Sequence, residues 1–135
     1  MSSNFGRNNF QTHRIGLYYV AYELSKSEPN VEIDSTDSSY GHIRMQKNGR
    51  EIKIMVKALS SVDPVPFSTD FNLIDRFEHL IICCGVYDRN ITLYKLPIDY
   101  VKKEISSNVG KDGKTNYWLD PPKYKNYKVA SLNFP

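Results

Sequence analysis

The sequence predicts an α/β domain with the core order α-β-β-β-α-β, a mixed sheet flanked by helices. Three observations predict it. The first is a hairpin from Gly41 to Lys57 that turns at Asn48-Gly49. Asn-Gly is the strongest short-range signal for a two-residue type I′ turn, because both central residues must take positive φ. The second is a helical pattern near the start of the chain. Ile15, Tyr18, Tyr19 and Tyr22 fall on one stripe, and Leu17, Val20, Ala21 and Leu24 on the next. A helix apolar on two adjacent stripes is expected to lie across a sheet. The third is the continuous apolar run Leu80 to Val86. Such a run fits a strand covered on both faces.

Taken in order, residues 1–10 are rich in Ser, Asn and Gly and read as a loose arm. The helix follows over about Gln11 to Lys26, with Thr12 as its cap, and stops before Pro29. Val31 to Ser35 reads as a short strand, and residues 36–40 as a polar turn. The two hairpin strands span roughly His42–Lys47 and Arg50–Ala58. Pro64 and Pro66 predict an extended, irregular loop over residues 60–68. Thr69 or Asp70 can cap a short helix with Phe71, Ile74 and Phe77 inward. After the apolar strand, Asp88-Arg89-Asn90 turns the chain into a further strand, Ile91 to Leu96. Pro97 opens a helix to about Ser106 with Ile98, Val101 and Ile105 inward. Residues 107–135 form a Tyr/Lys-rich tail expected to pack on the domain.

At 135 residues the chain is expected to be one domain, 1–135, with enough length for a real core. Its net charge of +3 permits an anionic partner without demanding one. No run of 18 apolar residues occurs, so no membrane partner is expected, and residues 1–11 lack the apolar stretch of a secretory leader. The two cysteines, Cys83 and Cys84, are neighbours inside the apolar run. Adjacent cysteines rarely suit a disulfide, so they read as small core residues in a reducing, cytoplasmic compartment. Ten tyrosines are many for this length and suit interfaces, a homodimer among them.

The turn fixes the hairpin register. Arg44 falls opposite Lys53, Ile43 opposite Ile54, Met45 opposite Ile52 and His42 opposite Met55. Side chains alternate faces. One face carries Ile43, Met45, Ile52, Ile54 and Val56 and is a core. The other carries His42, Arg44, Gln46, Glu51, Lys53, Met55 and Lys57. The cations Arg44, Lys47, Arg50 and Lys53 could cradle a phosphate backbone, or simply belong to a solvated sheet face.

The element order, with a hairpin ending in Met55-Val56-Lys57 ahead of a crossover, resembles the PD-(D/E)XK, or restriction-endonuclease-like, superfamily. The resemblance covers roughly Ile15 to Val86. It implies a nuclease-like nucleic-acid-binding domain acting on DNA. In that family a carboxylate on each hairpin strand holds Mg²⁺, and a lysine beside them steadies the attacking water or the scissile phosphate. Lys57 stands at the place of that lysine. His42 and Met55, 13 positions apart, stand where the two metal-binding carboxylates belong. A thioether is a poor ligand for a hard cation. The metal site is therefore degenerate, with weak or no activity expected and no certain cofactor. The alternative is an active Mg²⁺-dependent endonuclease with relocated carboxylates, Glu23, Asp34 or Asp37, working with Lys57. His42 is then a candidate base. A third reading is a protein-interaction or homodimer module.

Overall fold

A computed structural model describes residues 9–34, 41–67 and 69–134. The first eight residues of the expected arm, and the polar turn at 36–40 with Asp37, lie outside the described residues. The chain folds into a six-stranded mixed sheet flanked by helices, with a small second sheet on one side. Helix α1 (Asn9–Ser25) leads into β1 (Val31–Asp34), β2 (His42–Lys47) and β3 (Arg50–Leu59). Next come β4 (Val65–Phe67), a 3-10 helix over Thr69–Arg76, β5 (His79–Cys84) and β6 (Thr92–Pro97). Helix α2 (Ile98–Glu104), β7 (Ser106–Val109), β8 (Thr115–Leu119), α3 (Pro121–Tyr124) and β9 (Lys128–Val129) complete it. The large sheet has the order β1-β2-β3-β5-β6-β9, and the small one β4-β8-β7.

The hairpin is built as its turn requires. Asn48 and Gly49 take φ of 55° and 75°. These angles select the register Ile43↔Ile54, Arg44↔Lys53, Met45↔Ile52, Gln46↔Glu51 and Lys47↔Arg50. β1 adds antiparallel to β2 with Asp34 opposite His42. The 3-10 segment then carries the chain across, so that β5 pairs parallel to β3 with Lys57 opposite Ile82. β6 returns antiparallel to β5.

Alternation along the strands sorts the core into two faces. On one face Ile43, Met45, Ile52, Ile54, Val56, Ile81 and Cys83 meet Leu17, Val20 and Leu24 of α1. On the other, Met55, Leu80, Ile82 and Cys84 meet Val65, Phe67, Ile74, Phe77, Val101 and Leu119. α1 approaches the sheet closely because Gly16 faces Ala58. A Cβ on Gly16 would lie 2.5 Å from the Ala58 Cβ. Only one of the two stripes expected to be buried is buried: Leu17, Val20 and Leu24 are inside, whereas Tyr18 and Tyr22 are exposed.

Several elements differ from the expected ones. α1 begins at Asn9 rather than near Thr12, and the Thr12 hydroxyl bonds Tyr87 Oη at 2.9 Å. The expected loop at 60–68 contains a strand, because Val65, Pro66 and Phe67 pair with Leu119, Trp118 and Tyr117. Pro66 is tolerated because β4 is an edge strand. The tail is more regular than extended: β7 and β8 form a hairpin, and Tyr124 is buried with its hydroxyl donating to the Asp63 carbonyl at 2.6 Å. The last residues cross the α1 side of the sheet. Leu132 and Phe134 are buried there, and Lys95 donates to the Asn133 carbonyl at 2.5 Å. Lys47 donates to the Phe134 carbonyl. The Phe134 ring lies between Lys95, 3.9 Å from its centroid, and the His79 ring at 4.8 Å.

Candidate functional site

The residues singled out on the hairpin separate into three environments. The first is apolar. His42 and Met55 both turn to the face that carries the 3-10 segment, and both are buried. The His42 ring meets Phe77 edge-on at 5.0 Å, and Met55 packs in the same cluster as Phe77 and Ile74. A divalent ion there would need hard oxygen donors and space for water. These residues supply a thioether and an imidazole under an aromatic ring, so they do not fit the metal that the family resemblance implies. The Asp34 carboxylate, itself buried, lies 4.0 Å from His42 Nε2.

The second environment is the polar half of the hairpin face. Arg44 donates to Glu32 at 2.6 Å and to Asp34 at 3.1 Å. The hydrogen bond and charge of Glu32, followed by the charge of Asp34, hold its guanidinium pKa above the ordinary value. Lys53 lies 3.9 Å from Glu51, which also accepts from Gln46 at 3.4 Å. Carboxylates therefore outnumber cations here. The expected cluster of Arg44, Lys47, Arg50 and Lys53 is not one surface. Lys47 and Arg50 are an odd step from Arg44 and Lys53, so the pleat sends them to the opposite face. There Lys47 pairs with Glu28 at 2.5 Å and with the tail, and Arg50 pairs with Glu78.

The third environment is a cleft of about 290 Å³ at the far end of β3. Lys57, Ala58 and Leu59 form its floor, Val65 and Pro66 of β4 one wall, and Asn9, Thr12 and His13 of α1 the other. The Lys57 ammonium sits 4.9 Å from the Phe67 ring centroid, a cation–π distance that orients the side chain. His13 reaches the cleft because it lies one turn before Gly16 and Leu17 on the inward stripe of α1. Among the described residues that line the cleft there is no carboxylate. Its chemistry is that of an anion site: an ammonium, an imidazole, a hydroxyl and an amide at the first turn of a helix.

The two described candidate carboxylates, Glu23 and Asp34, do not converge on Lys57. Glu23 lies ten residues beyond His13 on α1, about 15 Å along the helix. It interacts instead with Lys26 at 3.2 Å and with Tyr19. Asp34 is two strands away from β3 and one two-residue step short of Lys57, about 12 Å between backbones. Asp37 lies outside the described residues. Among the described residues no group of three His, Cys, Asp or Glu side chains is placed to hold a metal ion. The cysteines are core groups: burial raises both thiols, Cys83 most strongly, with Cys84 bonded to the Tyr124 hydroxyl at 3.8 Å.

Sequence reasoning singled out Lys57 as a site candidate but not the His13, Thr12 and Asn9 that share its cleft. A signal existed, since His13 is the one ionisable residue on a stripe that continues through Gly16, Leu17, Val20 and Leu24. Comparison of the chain with family models, curated proteins and solved structures finds no match. Among the described residues no helix is long and apolar enough to cross a membrane.

Proposed function

We propose that the chain is a restriction-endonuclease-like domain whose metal site has been lost, and that it binds the phosphate of a nucleic acid in the Lys57 cleft without cutting it. The strand order supports the first half. Three antiparallel strands are followed by a crossover into a strand parallel to the third, and Lys57 lies on that third strand. Burial of His42 and Met55 against the Phe77 cluster supports the loss of the metal site. The observation that carries the binding half is the joint presence of Lys57 and His13 in one cleft, with the Thr12 hydroxyl beside them.

Phosphate oxygens would accept from the Lys57 ammonium, the imidazole and the Thr12 hydroxyl. A charged hydrogen bond contributes about 1.5–3 kcal/mol, so Lys57→Ala should weaken binding of a 5′-phosphorylated oligonucleotide by roughly tenfold or more. Affinity should also fall as salt rises, because condensed counterions are released on binding. The test is calorimetry with the phosphorylated oligonucleotide on wild type and Lys57→Ala, beside a cleavage assay with Mg²⁺ and Mn²⁺. Equal affinities reject the cleft as the phosphate site. Metal-dependent cutting that Lys57→Ala abolishes rejects the non-cutting assignment and returns the chain to the nucleases.

A further inference from the structure

The outward face of α1 carries a ridge with its own chemistry. Phe10, Arg14, Tyr18, Tyr22 and Lys26 follow one another four residues apart. In a helix each such step is about 6 Å along the axis and about 40° around it, so the series winds from Phe10, near the edge of the inward stripe, to Tyr18 and Tyr22 on the outward side. The rings are open to solvent: Phe10 is 45% exposed, Tyr18 57% and Tyr22 60%. The cations lie against them, the Arg14 guanidinium 4.6 Å from the Phe10 centroid and the Lys26 ammonium 4.8 Å from that of Tyr22. Lys26 also meets Glu23 at 3.2 Å, so Arg14 is the ridge cation with less carboxylate beside it. Aromatic side chains of this size seldom stand in a row on a helix unless something covers them.

We propose that this ridge is a stacking platform for single-stranded nucleic acid, a proposal that rests on the phosphate-binding reading of the cleft and names the form of its ligand. Two properties select the occupant. The step of about 6 Å between Tyr18 and Tyr22 matches the step between two bases of an extended strand, and stacking on rings needs no particular base. Arg14, one step before Tyr18, and Lys26, one step after Tyr22, match the phosphates on either side of such a pair of bases. A second copy of the chain matches less well, because it would bring two cationic ridges together on proteins that each carry +3. The ridge is also continuous with the cleft. Phe10 lies next to Asn9 and Arg14 next to His13, and both Asn9 and His13 line the cleft. A strand whose terminal phosphate meets Lys57 can thus run out along α1. In a duplex the bases are paired and stacked on each other, so their faces are withheld from these rings.

The test is fluorescence polarisation with a labelled oligothymidylate of about 12 nucleotides, enough to cover a helix of this length. Wild type is compared with Tyr18→Ala/Tyr22→Ala, Arg14→Gln and Lys57→Ala, and with the matching duplex as competitor. Because Tyr18 and Tyr22 are exposed, the double variant should keep its circular dichroism and melting curve. It should bind the strand at least fivefold more weakly, roughly the lower end for loss of one base–ring stack. The duplex should compete poorly. Unchanged strand affinity in the double variant overturns the proposal, and so does a duplex that competes as well as the strand. If Lys57→Ala alone loses affinity, the cleft stands and the ridge fails. If the tyrosine variant alone loses it, the ridge stands and the cleft fails. Light scattering on the same samples covers the remaining case. A dimer that dissociates on tyrosine substitution, with strand affinity unchanged, assigns the ridge to a second copy and overturns the proposal.

Discussion

Gly16→Ala tests whether the close seating of α1 on the sheet is what builds the cleft. The change normally favours a helix, because alanine exceeds glycine by about 1 kcal/mol in helix propensity. Here the new methyl would lie 2.5 Å from the Ala58 Cβ and 3.6 Å from that of Cys83. Both atoms of the closest pair are fixed to backbone, so neither can rotate away, and helix or strand must move by about 1 Å to restore van der Waals contact. Overpacking of a core costs about 1–3 kcal/mol, and a clash between two fixed atoms belongs at the upper end. Subtracting the helix gain leaves a net destabilisation of about 2 kcal/mol. Urea titration followed by circular dichroism measures it. Ala58→Gly removes the opposing methyl, so Gly16→Ala/Ala58→Gly should show a favourable coupling of about 1–2 kcal/mol in a double-mutant cycle. Lifting α1 should also spread Thr12 and His13 away from Lys57 and weaken phosphate binding in Gly16→Ala. A Gly16→Ala protein as stable as wild type, or a cycle with no coupling, refutes the steric account.

Two further predictions concern the other end of the same face. Burial, then the charge of Lys95, lowers the His79 pKa below 6.5. The unfolded chain therefore takes up this proton before the folded one does, and stability falls as pH drops from about 6.5 toward the folded value. Replacing His79 with Gln should flatten the wild-type slope of stability against pH in that window, measured by urea midpoints at successive pH values; an unchanged slope removes His79 as the cause. Phe134→Ala empties a buried aromatic seat and should cost about 3 kcal/mol or more, read from the shift in urea midpoint at constant slope.

The hairpin was legible from the sequence because one dipeptide determines it. Positive φ at Asn48 and Gly49 sets the turn, and the period of two then assigns every side chain to a face. Ile43, Met45, Ile52, Ile54 and Val56 fall in the core as that rule requires. The same rule also separates Lys47 and Arg50 from Arg44 and Lys53. Grouping them by charge alone concealed that their side chains point opposite ways. The small sheet was hidden for a different reason. Ser106-Ser107-Asn108-Val109 has no apolar alternation, and Val65-Pro66-Phe67 contains a proline. These stretches become strands only through pairing with Thr115–Leu119, far along the chain from β4. The burial of His42 and Met55 likewise depends on Phe77, which arrives from the crossover and carries no mark in the hairpin itself. Tyr18 and Tyr22 read as core by periodicity, yet a helix lying on one sheet can bury only one side.

The strap that ends in Phe134 has a consequence for how the chain assembles. Its carbonyls are held by Lys47 from the hairpin and Lys95 from β6, and its ring rests against His79 of β5. No seat for it exists until strands widely separated in the chain have come together. Contacts between residues this far apart in the chain form late, because the chain must be closed before they stabilise anything. During synthesis the strands and α1 can condense first, with the strap closing last over apolar residues that water still reaches. Of all segments on that face, it is the one whose amide protons should exchange earliest from the native protein and regain protection last on refolding.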